Sequence, residues 1–176
     1  MSVISHIAVD WQRYNITNCE WPWPFPAELV GKHEWELQRP TRVAWNWDLG
    51  HVEFVIPKGY QFDGASIPMW AESFVDPINA LVGALPHDVL YETQAGWRTY
   101  RVKLPDRSHY EEALVDCKTG KPLVFDGDNP PDSERRRARS DAVLRAFWLA
   151  SGMSLDMADR GYGAVRLAGK QAWDDD

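Results

Sequence analysis

The chain has 176 residues, 44% hydrophobic and 26% charged, with a formal net charge of −7. That length and composition suit one globular domain with a true core, and exclude a disordered tail, a collagen-like fibre and a coiled coil. The acidic balance argues against a general nucleic-acid binder, which needs a basic face, and the longest apolar run, Ile78 to Leu85, is too short to span a bilayer.

Met1 to Trp11 lack a basic segment followed by an apolar stretch, so no signal peptide is expected. Cys19 and Cys117 alone cannot build a disulfide framework, and a reducing compartment is expected. The 10 tryptophans and 12 prolines leave two readings open. In one, the rings fill the core of a loop-rich fold. In the other, some stack on sugars or lie at a membrane surface. Trp21-Pro22-Trp23-Pro24-Phe25-Pro26 is the best segment for such display, because alternating prolines favour extended backbone.

Taken in chain order, residues 1–41 read as an irregular, Trp- and Pro-rich arm. Arg42 to Trp47, a turn at Asp48-Leu49-Gly50 and His51 to Ile56 predict a hairpin, with Val52, Phe54 and Ile56 on its apolar face. A loop from Tyr60 to Pro68 follows. Asp76-Pro77 predicts an N-cap and first helical residue, with the helix running towards Thr93 and a kink or restart at Pro86. Trp97 to Leu104 and Ala113 to Phe125 read as strands, the second folded back at Lys118-Thr119-Gly120-Lys121. Pro130-Pro131-Asp132-Ser133 announces a helix from about Glu134 to Ala150. Gly152 stops it, and Ser154 caps a last helix reaching about Leu167. The predicted architecture is α+β: small antiparallel sheets or hairpins with about three helices, in a single domain.

The densest group of reactive side chains is His87-Asp88-Val89-Leu90-Tyr91. His87 and Tyr91 share a helical face, with Asp88 about 100° round. His87 can act as a general base near neutrality, and Asp88 can offer oxygen to a divalent cation. The same pair can equally be structural. Asp141 lies on one helical stripe with Leu144 and Trp148, so it points inward and needs a partner. His87 and Tyr91 are the natural candidates, and a hydrogen bond from His87 would leave its other nitrogen facing substrate or water. The competing reading pairs Asp141 with Arg137 or Arg145 on its own helix. Asp63-Gly64-Ala65-Ser66 is either a plain turn or a ligand loop in which Gly64 admits close approach while Asp63 and Ser66 supply oxygens. Arg135, Arg136, Arg137 and Arg139 read as a solvated network with Asp126, Asp128, Asp132 and Glu134.

Together, the run from Val55 to Pro68, His87-Asp88-Val89-Leu90-Tyr91, Arg139-Ser140-Asp141, Tyr162 to Arg166, Gly169 and Trp173 resemble an uncharacterised phage and prophage family, domain of unknown function 1353. The resemblance runs from about residue 42 to the end. It implies a phage setting, near tail or lysis genes, and no settled activity. Two departures from the family pattern are Pro86, just before the His-Asp pair, and an insertion at about 96–132 that reads as extra strands.

Locally, His-Asp-x-x-Tyr on one helix with an aspartate on another is similar to phospholipase A2. That similarity implies His87 as base, Asp88 as calcium ligand, and Tyr91 with Asp141 as the orienting pair. The cysteine framework and glycine-rich calcium loop of that class are missing. Two functions therefore stand as expectations. One is a calcium-assisted hydrolase acting on phospholipid or peptidoglycan of the bacterial envelope. The other is a structural tail component, bound to other phage proteins or to itself, in which the polar cluster only fixes packing. Either would be made in the host cytoplasm and carried in the virion.

Overall fold

The computed structural model describes residues 10–32, 34–47, 50–63, 77–96, 98–104, 106, 108–123 and 133–175. The predicted hairpin is present as β4 (Thr41–Trp47) and β5 (Gly50–Ile56), paired antiparallel from Thr41↔Ile56 to Trp47↔Gly50. Its period-two pattern buries Val43, Trp45 and Trp47 with Val52, Phe54 and Ile56. Trp45 meets Trp47, Phe54 and Phe147 edge-on, with centroids 5.6–5.8 Å apart. Four of the tryptophans, Trp45, Trp47, Trp148 and Trp173, are therefore core residues, whereas Trp23 is 71% exposed.

Residues 10–32 and 34–40 are more ordered than their sequence suggests. After a single 3-10 turn (Asp10–Tyr14), β1 (Thr17–Glu20) pairs with β4 across an irregular register, completing a sheet of order β1-β4-β5. β2 (Ala27–Leu29), β3 (Trp35–Leu37) and β6 (Gln61–Phe62) form a second antiparallel sheet. These strands are two to four residues long, and β1 and β2 are mostly exposed. Backbone pairing holds them, so they carry too few side chains to show a period.

Helix α1 (Pro77–Glu92) begins at the predicted proline; its expected cap, Asp76, lies outside the described residues. It runs through Pro86 without a restart. Pro86 removes the donor that would reach the Val82 carbonyl. Packing compensates, since Leu81, Val82, Leu85, Val89 and Leu90 are all buried. Helix α2 (Ser133–Ala150) lies against α1, β1 and α3 (Leu155–Asp175). It ends in a Schellman turn: Gly152 has φ +99°, its N–H meets Leu149 O at 3.1 Å, and Met153 N–H meets Trp148 O at 2.9 Å. Ser154 Oγ then accepts the Met157 N–H at 3.4 Å, capping α3. This helix extends well past the predicted end at Leu167. Trp173 anchors its last turns: it is 1% exposed and donates from Nε1 to Ser133 Oγ at 2.7 Å.

Between α1 and α2, β7 (Tyr100–Lys103) falls within the predicted strand, but its partner is β8 (His109–Glu112). The expected hairpin at 113–125 is reduced, within the described residues, to one bridge, Val115↔Pro122. Its turn survives because Asp116 Oδ1 accepts the N–H groups of Lys118 and Thr119 and Gly120 takes φ +65°.

Gly83 sets the approach of α1 to α2. A Cβ there would lie 2.7 Å from the Trp148 ring and 2.9 Å from the Leu144 carbonyl oxygen, while Trp148 Nε1 donates to Ala80 O at 3.1 Å. Gly83→Ala is expected to lower stability by about 1–3 kcal/mol, read as a reduced denaturant midpoint at unchanged slope.

Candidate functional site

Helical spacing puts His87, Asp88 and Tyr91 of α1 opposite Asp141 of α2, at the foot of a cleft of about 880 Å³. Asp141 is 0% exposed. Its Oδ1 accepts the Tyr91 hydroxyl at 2.6 Å and faces His87 Nε2 at 3.0 Å; its Oδ2 accepts Arg166 Nη1 at 2.9 Å. Arg137, the same-helix partner considered from sequence, stands 3.8 Å away, while Arg145 binds Asp159 at 2.6 Å. Asp141 thus takes the cross-helix partners its stripe position called for.

One expectation fails. The second nitrogen of His87 does not look onto open cleft: Nδ1 lies 3.2 Å from Asp88 Oδ1. The imidazole is clamped between two carboxylates. Asp88 Oδ2 in turn accepts the Asp63 backbone N–H at 3.3 Å, which brings the end of β6 to the site. Gly64 and Ser66, the other expected ligand-loop residues, lie outside the described residues.

The charges follow from this geometry. Burial opposes a charge on His87, but its bonds to Asp141 and Asp88 outweigh that and raise its pKa to about 9. Burial raises Asp88 to about 7; the His87 contact works against this rise and the Asp63 charge adds to it. Burial also opposes ionisation of Asp141, yet His87, Tyr91 and Arg166 together hold its carboxyl below the usual range.

Several contributors had no site role in the sequence, although Arg166 and Gly169 stand among the residues that carry the family resemblance. Arg166 bonds both Asp141 and Glu134, and Arg137 donates to Glu134 and to the Arg166 carbonyl. Arg166 had no spacing signal, because it belongs to a third helix. Glu92, one turn beyond Asp88, accepts the Tyr60 hydroxyl at 3.2 Å and the Arg101 N–H at 2.7 Å. Gly169 lets α3 close on Tyr91, whose hydroxyl would lie 2.6 Å from a Cβ at that position. The segment between α1 and α2 also takes part, since Arg98, Thr99, Arg101 and Glu111 line the cleft.

Of the arginine run of α2, Arg135 is exposed and Arg137 pairs with Glu134 at 3.0 Å, as a solvated network requires. Arg136, Arg137 and Arg139 are nevertheless buried, and the Arg139 guanidinium lies 5.3 Å from the Tyr14 ring centre and 5.0 Å from that of Trp47. Planar guanidinium stacks on aromatic faces, a burial route that a charge count does not reveal. Asp126, Asp128 and Asp132 lie outside the described residues.

For calcium, the donor set does not fit among the described residues: no three His, Cys, Asp or Glu side chains are grouped closely enough to hold a metal ion. Asp88 has one oxygen against His87 and the other against the Asp63 amide. Nor is any described helix long and apolar enough to cross a membrane.

Residues 35–165 match the family described as Protein of unknown function (DUF1353). The chain belongs to that family. No curated protein and no solved structure matches it. The DUF1353 match takes in His87, Asp88, Tyr91 and Asp141 and stops one residue short of Arg166.

Asp141→Ala would strand His87, Tyr91 and Arg166 around a buried hole, and a loss of about 3–5 kcal/mol in unfolding free energy is expected. A pH series gives a second check. His87 is raised from 6.5 to about 9 on folding, so its stabilisation is complete below pH 6.5 and is lost as pH rises through about 9. The denaturant midpoint should therefore fall across that window, and the fall should shrink in His87→Gln.

Proposed function

We propose that this chain is a phage-encoded, virion-associated hydrolase acting on the bacterial envelope. The observation that carries the proposal is that His87, Asp88 and Tyr91 line one cleft and that buried Asp141 holds His87 and Tyr91 from behind. The resemblance to phage and prophage proteins supplies the setting.

Each residue has a definable part. Asp141, fixed by Arg166 and Tyr91, orients His87 through Nε2. The His87–Asp88 contact borders the cleft, so a water placed beside it can lose a proton as its oxygen attacks a substrate carbon. No step is routed through calcium, because Asp88 and Asp63 do not amount to a ligand set.

A structural reading also has an observation in its favour: both imidazole nitrogens are already bonded, and the network ties α1, α2 and α3 together. The assay that separates the two offers the purified protein phospholipid vesicles and isolated peptidoglycan. Hydrolysis of either substrate is expected, falling at least ~100-fold in a folded His87→Gln variant. Absence of product from both substrates, with the protein found as a stoichiometric part of purified particles, would establish the structural role instead.

A further inference from the structure

We propose that Asp88, and not His87, exchanges the proton with the substrate, His87 serving as a positioning imidazolium. The assignment deepens the hydrolase reading and rests on it.

An imidazole can act as a base only through a nitrogen that carries a lone pair. Here Nε2 faces Asp141 Oδ1 at 3.0 Å and Nδ1 faces Asp88 Oδ1 at 3.2 Å, and an ionised carboxylate only accepts hydrogen bonds. Once Asp88 is ionised, above about pH 7, satisfying both contacts requires a proton on each nitrogen. The doubly protonated ring then neutralises two carboxylates and has no lone pair to offer.

Exposure points the same way. The side chain of Asp141 is 0% exposed, that of His87 is 9%, and that of Asp88 is 19%. Asp88 also lines the cleft, where its Oδ2 takes the long 3.3 Å contact from Asp63 N–H and the Asp63 carboxyl stands close by. It is the member of the chain of contacts most open to water.

The charged and titratable groups around this pair come from strands and helices alike. Tyr60 and Asp63 flank β6, Glu92 and Tyr91 stand on α1, Asp141 and Arg137 on α2 and Arg166 on α3, while Arg98, Arg101 and Glu111 line the cleft from the β7–β8 side. Arg166 and Arg137 keep Asp141 ionised, which keeps the imidazolium in place. Asp63 opposes a second negative charge at Asp88 and so makes its carboxylate a better base near neutrality.

The step balances without a cofactor. Asp88 Oδ2 takes a proton from water as the water oxygen bonds to the substrate carbon. The bond from that carbon to the leaving oxygen or nitrogen breaks, the leaving atom receives the proton, and Asp88 returns to carboxylate.

Two measurements test the assignment. Nitrogen NMR of the full chain with labelled histidine, His87 being identified by its loss in His87→Gln, should show both ring nitrogens protonated at pH 7.5. A bare nitrogen at that pH overturns the proposal and leaves the hydrolase reading intact. In the vesicle and peptidoglycan assays, the wild-type kcat should rise with pH through an apparent pKa near 7. Asp88→Asn should abolish that rise and lower kcat at least ~100-fold with KM little changed. Full activity in a folded Asp88→Asn protein would transfer the proton exchange elsewhere. A wild-type protein inactive on both substrates would bring down the hydrolase reading and this assignment together.

Discussion

A carboxylate with no exposed surface, Asp141, is the constraint on which the helical half of this protein depends. An ion of that kind persists only where charge and hydrogen bonds replace the water it has lost. Here the replacement comes from three helices at once: the hydroxyl and imidazole of α1, the guanidinium of Arg166 on α3, and Arg137 on its own helix. None of these helices can slide without stranding the charge. The hydrophobic contacts around Trp148 and Phe147 supply the bulk of the adhesion, while Asp141 fixes the register in which that adhesion occurs.

The same constraint explains why the site is asymmetric. Its inner end is saturated with donors and its outer end, at Asp88, is not. Positive charge from Arg137 and Arg166 gathers behind Asp141, and negative charge from Asp63, Asp88 and Glu92 gathers towards the cleft. The imidazole sits where the two meet, so its protonation state reports on both sides.

Much of this was legible in the sequence, for identifiable reasons. A spacing of four put His87 and Tyr91 on one face, and the apolar stripe through Leu144 and Trp148 turned Asp141 inward. Both inferences use only the helical repeat. Alternation found the β4–β5 hairpin in the same way. The irreducibly tertiary features stayed hidden. That Asp88 would fold back on the ring beside it is a side-chain conformation, not a pattern. Short β1, β2 and β3 are held by backbone pairing, and α3 is prolonged by the burial of Trp173 against Ser133 and Tyr91. The continuity of α1 through Pro86 and the stacking of Arg139 on Tyr14 and Trp47 likewise depend on neighbours remote in the chain.

The hairpin of β7 and β8 has a significance beyond its small size. It supplies a wall of the cleft and contributes nothing to the bonds around Asp141. The buried network and the wall of the cleft are therefore built from different lengths of chain, joined where Arg101 N–H meets Glu92. Changes to the hairpin away from that junction would reshape the cleft and leave the bonds around Asp141 as they are.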